Sequence, residues 1–232
     1  SATMPPLEIT KVLSGDRNNG LKAGEFSFEI SANSEDGIIL PTNKVVTNDA
    51  NGKVQFENIK FTKAGTYVVS IKEVVPDNKV AGVTYDNHVI ESTFNVTDRE
   101  GQLVVTRSNT NGSQTFTNAY NTTGIVDGAT NLKVTKVLEG RDWQSGDSFS
   151  FVLSGNDDVT NTAIENEDIV LPDNANGITI TNENETKSAA FSNITIKKPG
   201  TYTFSISEDA SDPINGITYA DAKVITVTAT DK

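Results

Sequence analysis

An internal repeat is the feature that most restricts what this chain can fold into. Three segments of the first copy return in the same order in the second: LEITKVLSG (7–15) as LKVTKVLEG (132–140), GTYVVSIKE (65–73) as GTYTFSISE (200–208), and GVTY (82–85) as GITY (216–219). A repeat of this length is a domain, because solenoid units are about 20 to 50 residues long. The sequence therefore predicts two tandem domains, residues 7–120 and 132–232, joined by a polar linker at 121–131.

The local pattern is that of β-strands. Residues 25–30, 67–71, 148–153 and 224–228 alternate or nearly alternate between apolar and polar side chains, and they are rich in β-branched and aromatic residues. Helical periodicity is sustained nowhere. Turn dipeptides fall between these runs, at Asn51-Gly52, Asn111-Gly112 and Asn215-Gly216. Each copy is therefore predicted to be an antiparallel β-sandwich, and the proline-containing residues 1–6 are predicted to lie outside the fold.

Composition excludes several classes of function. Asp and Glu outnumber Lys and Arg by 31 to 19, which gives a formal charge of -12, and the basic residues do not form a stripe, so nucleic acid is not an expected partner. The chain has no cysteine and one histidine, His88, expected on a sheet surface, so thiolate catalysis and multi-histidine metal sites are excluded. No apolar run approaches the roughly 20 residues of a membrane-spanning helix, and the first residues are not expected to be a leader peptide, because they are neither positively charged nor apolar. We expect no cofactor and no metal.

The two copies differ at their ends. The first closes with TFTNAY at 115–120, and no residue after Tyr219 matches this segment in the second. The second domain is therefore predicted to lack its final strand. Two explanations fit: the strand was lost by truncation or proteolysis, or the second copy is an open half that accepts a complementary strand from another chain.

These segments resemble the streptococcal pilin type of intramolecular isopeptide domain, found in Gram-positive pilins and surface adhesins. The resemblance rests on the ordered set of TKVL openings, GTY strands ending in glutamate, G(V/I)TY turns and TFTNAY. It implies a CnaB-like, Ig-like sandwich in which Lys11 is joined to the Asn118 side chain through an amide, assisted by Glu73. It also implies that Glu208 is the corresponding catalytic residue of the second domain and that Lys136 is an unpaired reactive lysine.

Elementary chemistry explains why these residue types are needed. A lysine attacks a carbonyl only as a neutral amine, and burial disfavours its charged form. A desolvated glutamate has its proton affinity raised, so it is expected to hold a proton, hydrogen-bond the amide oxygen and pass protons toward departing ammonia. Folding alone brings the groups together, so no external enzyme is required.

Three functions fit the sequence. The first is a structural stalk module of a Gram-positive, cell-wall-anchored surface protein, whose partners are neighbouring repeats and whose host ligand is unknown. The second is a split module that captures a strand in trans through Lys136. The third is a ligand-binding adhesin domain, for which Trp143 is a candidate sugar platform, although a single tryptophan near a strand start is more often a core cap. A conventional enzyme ranks last, because the expected reaction is a single self-crosslinking event.

Overall fold

The computed structural model describes residues 1–111 and 113–232, without the side chains of residues 108–112. The chain forms two compact units, Ser1–Asn121 and Thr122–Lys232, each with its own hydrophobic core. Strands are the main regular secondary structure of both units, so the all-β, two-domain architecture is confirmed. The predicted turn at Asn111-Gly112 falls partly on Gly112, outside the described residues. Within the described part of the chain, no helix is long and apolar enough to cross a membrane.

The first domain contains twelve strands in its described residues. They are β1 (Ala2–Thr3), β2 (Leu7–Ser14), β3 (Ser27–Ala32), β4 (Ile38–Ile39), β5 (Val45–Thr47), β6 (Lys53–Phe56), β7 (Lys60–Phe61), β8 (Gly65–Val74), β9 (Val83–Thr84), β10 (Val89–Arg99), β11 (Gln102–Asn111) and β12 (Thr115–Tyr120). They form sheets in the orders β11-β10-β8-β3-β5, β6-β2-β12-β9 and β1-β7-β4. Among the described pairs only β2 and β12 run parallel, and this pairing joins the first long strand of the domain to the last.

The inward faces of the two larger sheets supply most of the core. Side chains alternate across a strand, so every second residue faces inward. Leu7 and Ile9 of β2 and Phe116 of β12 meet Phe28 of β3 and Val69 of β8, and all five are at most 3% exposed. The core of the first domain therefore lies between these two sheets.

The second domain has nine strands and two helices. They are β13 (Gly124–Val126), α1 (Gly128–Asn131), β14 (Lys133–Thr135), β15 (Ser148–Gly155), α2 (Asp158–Glu165), β16 (Ile169–Val170), β17 (Ile178–Thr181), β18 (Ser188–Ala190), β19 (Ile194–Ile196), β20 (Gly200–Glu208) and β21 (Lys223–Ala229). The sheet orders are β17-β15-β20-β21, β13-β19-β16 and β14-β18. No described residue pairs with the free edge of β14, where β12 lies against β2 in the first domain.

One boundary prediction is wrong, since residues 1–6 are part of the first domain, and most of the predicted linker has regular structure. Residues 122–131 of the predicted linker at 121–131 contain β13, which pairs with β19, and α1, and they lie in the second compact unit. Residues 1–6 likewise contain β1, which pairs with β7. Helix α2 was not predicted from the sequence, and Asp157 caps it by accepting from the N–H of Thr160. Such short elements carry too little periodicity to be detected, and contacts with the rest of the domain hold them in place.

Candidate functional site

The strands place three polar side chains at the ends of apolar rows. On β2 the inward-facing residues are Leu7, Ile9 and then Lys11, and on β8 the inward row ends with Glu73. On β12, Asn118 follows buried Phe116 by two positions. Because side chains alternate along a strand, each of the three polar groups occupies a position where a core hydrophobe is expected. They are 1%, 6% and 0% exposed in that order, so water is almost absent.

The backbone of Lys11 is held by a close approach of the turn before β6. The N–H of Lys11 donates to the carbonyl of Gly52 at 2.6 Å. Gly52 has φ of 85°, and a side chain at this position would collide with the carbonyl oxygen of Lys11. Only glycine accommodates both the positive φ and this contact without strain. The predicted Asn51-Gly52 turn therefore helps to position the lysine.

Glu73 joins the other two side chains. The Nζ atom of Lys11 lies 3.0 Å from Glu73 Oε1 and 3.1 Å from Oε2. The Nδ2 atom of Asn118 donates to the same Oε1 at 2.7 Å. One carboxyl oxygen thus contacts both nitrogens, and a proton can pass from the lysine to the asparagine through a single group.

Burial governs the ionisation of the pair. Desolvation lowers the pKa of Lys11, and the hydrogen bond and charge of Glu73 oppose this without cancelling it. Desolvation likewise raises the pKa of Glu73 against the opposing effect of Lys11. The rings of Phe26 and Phe28 lie 4.5 and 5.7 Å from Nζ and complete the apolar enclosure. Both shifts favour the neutral amine beside the protonated acid, the form in which the lysine is a nucleophile.

A backbone donor fixes the orientation of the Asn118 amide. The N–H of Asp86 donates to Asn118 Oδ1 at 2.8 Å. An N–H group only donates, so the amide oxygen faces Asp86 and the nitrogen faces Glu73. Glu73 was expected to contact the amide oxygen; in the structure it contacts the nitrogen, because the oxygen already has this other partner.

Asp86 and His88 adjoin the site and were missed from the sequence. The Asp86 carboxylate accepts from the N–H of Thr117 at 2.8 Å and lies 2.6 Å from His88 Nδ1. The His88 ring lies 4.5 Å from the Phe116 ring, so the histidine is part of the closing-strand contact and not a solitary surface residue. Partial burial opposes charging of His88, but its hydrogen bonds outweigh burial and raise its pKa. No motif marks this pair, because its contacts come from tertiary structure.

The second domain repeats half of the site. Lys136 Nζ lies 2.6 Å from Glu208 Oε1, and the two side chains are 9% and 3% exposed. These atoms are at ion-pair distance but not in hydrogen-bond geometry, so Glu208 Oε1 has no hydrogen-bond donor among the described residues. Phe149 and Tyr219 lie 4.4 and 5.9 Å from Nζ, as aromatic rings do in the first domain. No described amide side chain occupies the place of Asn118.

Trp143 packs against the second core. Its ring meets Phe149 edge to face at 5.4 Å, and Lys187 Nζ lies 5.2 Å from it. Trp143 therefore covers one edge of the second core, which agrees with the core-cap interpretation given in the sequence analysis.

In the same loop, Arg141 binds Asp147 through two hydrogen bonds of 2.8 and 2.9 Å.

The Arg141–Asp147 pair predicts acid sensitivity of the second domain. The hydrogen bond from Arg141 lowers the pKa of Asp147 from 3.8 to about 2. The unfolded chain therefore binds more protons between these values, and the stabilisation is complete above pH 3.8 and is lost as pH falls through 2. We expect Arg141→Gln to lower the melting temperature of this domain by a few degrees at pH 6, with a smaller difference at pH 2. Thermal melts across this range test it, with exposed Lys133→Gln in the same domain as the control for loss of one positive charge; a difference for Arg141→Gln that stays constant with pH would contradict it.

The fold and site define a class of protein: tandem β-sandwiches with a buried Lys–Glu–Asn set between the first and last strands of a domain. A model of the FctA family, described as a Spy0128-like isopeptide-containing domain, matches residues 7–121 and 132–232. The chain belongs to this family, and the resemblance inferred from the sequence is confirmed. No curated protein matches the sequence significantly.

Solved structures to which the chain is similar include two major pilins of Streptococcus pyogenes. One is 18% identical, with a TM-score of 0.40, over 88% of this chain and 82% of the pilin chain. The other, the T-13 pilin of serotype GAS131465, is 16% identical, with a TM-score of 0.36, over 98% of this chain and 94% of the pilin chain. The family assignment comes from the sequence match and not from these likenesses.

Proposed function

We propose that this chain is a structural stalk module of a Gram-positive surface protein, stabilised by a self-formed isopeptide bond between Lys11 and Asn118. The observation that carries the proposal is the double contact of Glu73 Oε1, at 3.0 Å from Lys11 Nζ and 2.7 Å from Asn118 Nδ2. Family membership supports the same conclusion. Cell-wall anchoring and assembly with neighbouring repeats are part of this proposal.

The reaction follows from these contacts. The neutral amine of Lys11 attacks the side-chain carbonyl carbon of Asn118, and a carbon–nitrogen bond forms. Glu73 accepts the proton that the lysine nitrogen loses and delivers a proton to Nδ2, so the bond to Nδ2 breaks and ammonia leaves. The products are one amide and one ammonia, and no oxidant or cofactor is consumed. Each molecule reacts once, so Glu73 is a proton shuttle in a single-turnover reaction and the protein is not an enzyme in the usual sense.

Mass spectrometry tests the proposal directly. We expect the denatured, purified chain to be lighter than its calculated mass by one ammonia, with the loss mapped to a peptide that links Lys11 to Asn118. Asn118→Ala removes the acceptor and should restore the full mass, whereas Lys136→Ala in the second domain should leave the deficit unchanged. A wild-type chain of full calculated mass would overturn the proposed bond and the stalk function that depends on it.

A second function, strand capture in trans, is supported by the second domain. The edge of β14 is unpaired among the described residues, and Lys136 lies beside Glu208 in a largely buried position. An unpaired sheet edge can accept an added strand. We expect a synthetic peptide with the sequence of residues 114–120 to form a covalent adduct with the chain, and Lys136→Ala to abolish it. Absence of an adduct after long incubation at high peptide concentration would reject this function and leave the first untouched.

A further inference from the structure

We infer that the backbone N–H of Asp86 is the oxyanion donor of the bond-forming reaction, and that the Asp86 side chain positions it. The inference rests on the proposed function, because it assigns a group to that reaction. It goes beyond the Lys–Glu–Asn set, since it gives a stabilising partner to Asn118 Oδ1, whose hydrogen bond comes from Asp86 and not from Lys11 or Glu73.

The geometry meets the requirement for such a donor. The nitrogen of Asp86 lies 2.8 Å from Asn118 Oδ1. When the lysine attacks, the carbonyl double bond opens and Oδ1 takes up negative charge. Asn118 is fully buried, so water is not present to stabilise that charge. A fixed N–H beside a developing anion in a dry site binds the intermediate more strongly than the neutral amide, which lowers the barrier.

The Asp86 side chain holds the donor against the closing strand. Its carboxylate accepts from the N–H of Thr117 at 2.8 Å, one residue before Asn118. It also accepts from the N–H of His88 at 3.1 Å and contacts His88 Nδ1 at 2.6 Å. The other ring nitrogen, Nε2, lies 3.0 Å from the carbonyl oxygen of Ser113, just before β12. Asp86 and His88 thus tie the donor and the reacting amide to each other through several short contacts.

The second domain supplies an independent observation. Ala220 follows the GITY segment as Asp86 follows GVTY, and the preceding tyrosines, Tyr85 and Tyr219, pack on the site phenylalanines Phe26 and Phe149. Each tyrosine hydroxyl accepts from the N–H five residues earlier, at 3.2 and 3.0 Å.

Without an asparagine beside it, the N–H of Ala220 donates to Glu208 Oε2 at 3.3 Å. The backbone N–H of the residue after the tyrosine is therefore directed into the site in both repeats, although the side chain is Asp86 in the first and Ala220 in the second. The N–H is the common feature, and the carboxylate is an addition of the first domain.

Throughout the reaction the N–H of Asp86 donates a hydrogen bond and keeps its proton. The lone pair of the Lys11 nitrogen forms the new bond to the Asn118 carbonyl carbon, and the electrons of the carbonyl double bond move to Oδ1. The N–H of Asp86 stabilises the negative charge on Oδ1 through its hydrogen bond. Glu73 carries the proton from the lysine nitrogen to Nδ2. The electrons on Oδ1 then re-form the carbonyl as ammonia departs, and the N–H of Asp86 remains bonded to the oxygen of the product amide.

A matched pair of variants at position 86 separates the N–H from the side chain. Asp86→Ala keeps the N–H, and lactic acid at the same position gives a backbone ester of the same shape that lacks it. The full chain is made by cell-free synthesis, translation is stopped, and samples are denatured at intervals for intact mass. We expect the ester to lose ammonia about 100-fold or more slowly than Asp86→Ala, the order seen when one oxyanion donor is removed. A lactic acid ester at exposed Ala81 controls for the ester itself and should react at the wild-type rate.

The outcomes distinguish the inference from the proposed function. If wild type never loses ammonia, the proposed function fails. If wild type reacts and the two position-86 variants react equally fast, only the oxyanion assignment is overturned. If the ester does not fold, NMR of Glu73→Gln decides: a coupling across the hydrogen bond between the Asp86 nitrogen and the Asn118 side-chain carbonyl carbon supports the assignment, and its absence in the folded protein overturns it.

Discussion

Glu73→Gln should leave the first domain without its crosslink and lower its melting temperature by about 16 to 20 °C. Glutamine keeps the size of the side chain and its oxygen still accepts from Asn118 Nδ2, but it cannot take the proton of Lys11. In the chain-entropy model, a crosslink that closes a loop of about 100 residues contributes about 4 to 5 kcal/mol. For a domain of this size each kcal/mol shifts the melting temperature by about 4 °C.

The measurement combines intact mass with calorimetry of the whole chain. Glu73→Gln should have its full calculated mass and one transition shifted downward, while the transition of the second domain stays in place. Glu208→Gln is the matched control, because it makes the same change at the equivalent position of the other repeat. Retention of the ammonia deficit in Glu73→Gln would contradict the proton-shuttle role of this residue.

Urea unfolding separates the lost crosslink from simple damage to the core. A crosslinked unfolded chain is more compact than an open one and exposes less surface, so the urea m-value of the first domain should be larger in Glu73→Gln than in wild type. A lower midpoint with an unchanged m-value would mean that the substitution disturbed the native core while the connectivity of the chain stayed the same.

Under tension, we expect the first domain of the wild-type chain not to extend and the Asn118→Ala variant to unfold completely. Lys11 and Asn118 lie on β2 and β12, the first long strand of the domain and the last. A covalent bond between them passes force directly from one to the other, so the 106 residues between them, 12–117, carry no load. Without the bond, these residues extend by roughly 350 to 385 Å at 3.3 to 3.6 Å per residue.

Single-molecule force spectroscopy of the whole chain measures this difference. The second domain should extend in both proteins, because no described residue supplies its lysine with an acceptor, and its extension identifies molecules pulled from end to end. Wild type should then show one unfolding step and Asn118→Ala two. A wild-type trace with two full steps would contradict both the bond and the stalk function.

Much of the architecture was predictable because it is encoded locally. The two-domain repeat and the strand alternation came from the pattern of residues, and the structure confirms the all-β fold. Lys11, Glu73 and Asn118, singled out by family resemblance, do lie together. Their roles stay a proposal, but their positions at the ends of apolar rows follow from the two-residue period of a strand. Strands β1 and β13 and helix α2 could not be read in this way, because short segments owe their conformation to distant partners.

The sequence by itself determined that the chain is a two-domain, all-β protein and which side chains of its longer strands face the core, since alternation along a strand depends on neighbours within a few residues. The pairing of each lysine with a glutamate was implied by the family resemblance. Only the tertiary structure decided that the Asn118 oxygen faces the N–H of Asp86, that its nitrogen faces Glu73, and that His88 lies against Phe116. Those contacts join residues 28 to 45 positions apart, so they depend on how strands are paired and how loops close over them. The physical reason is that side-chain alternation is a property of one strand, whereas the direction of a hydrogen bond is a property of several elements packed together.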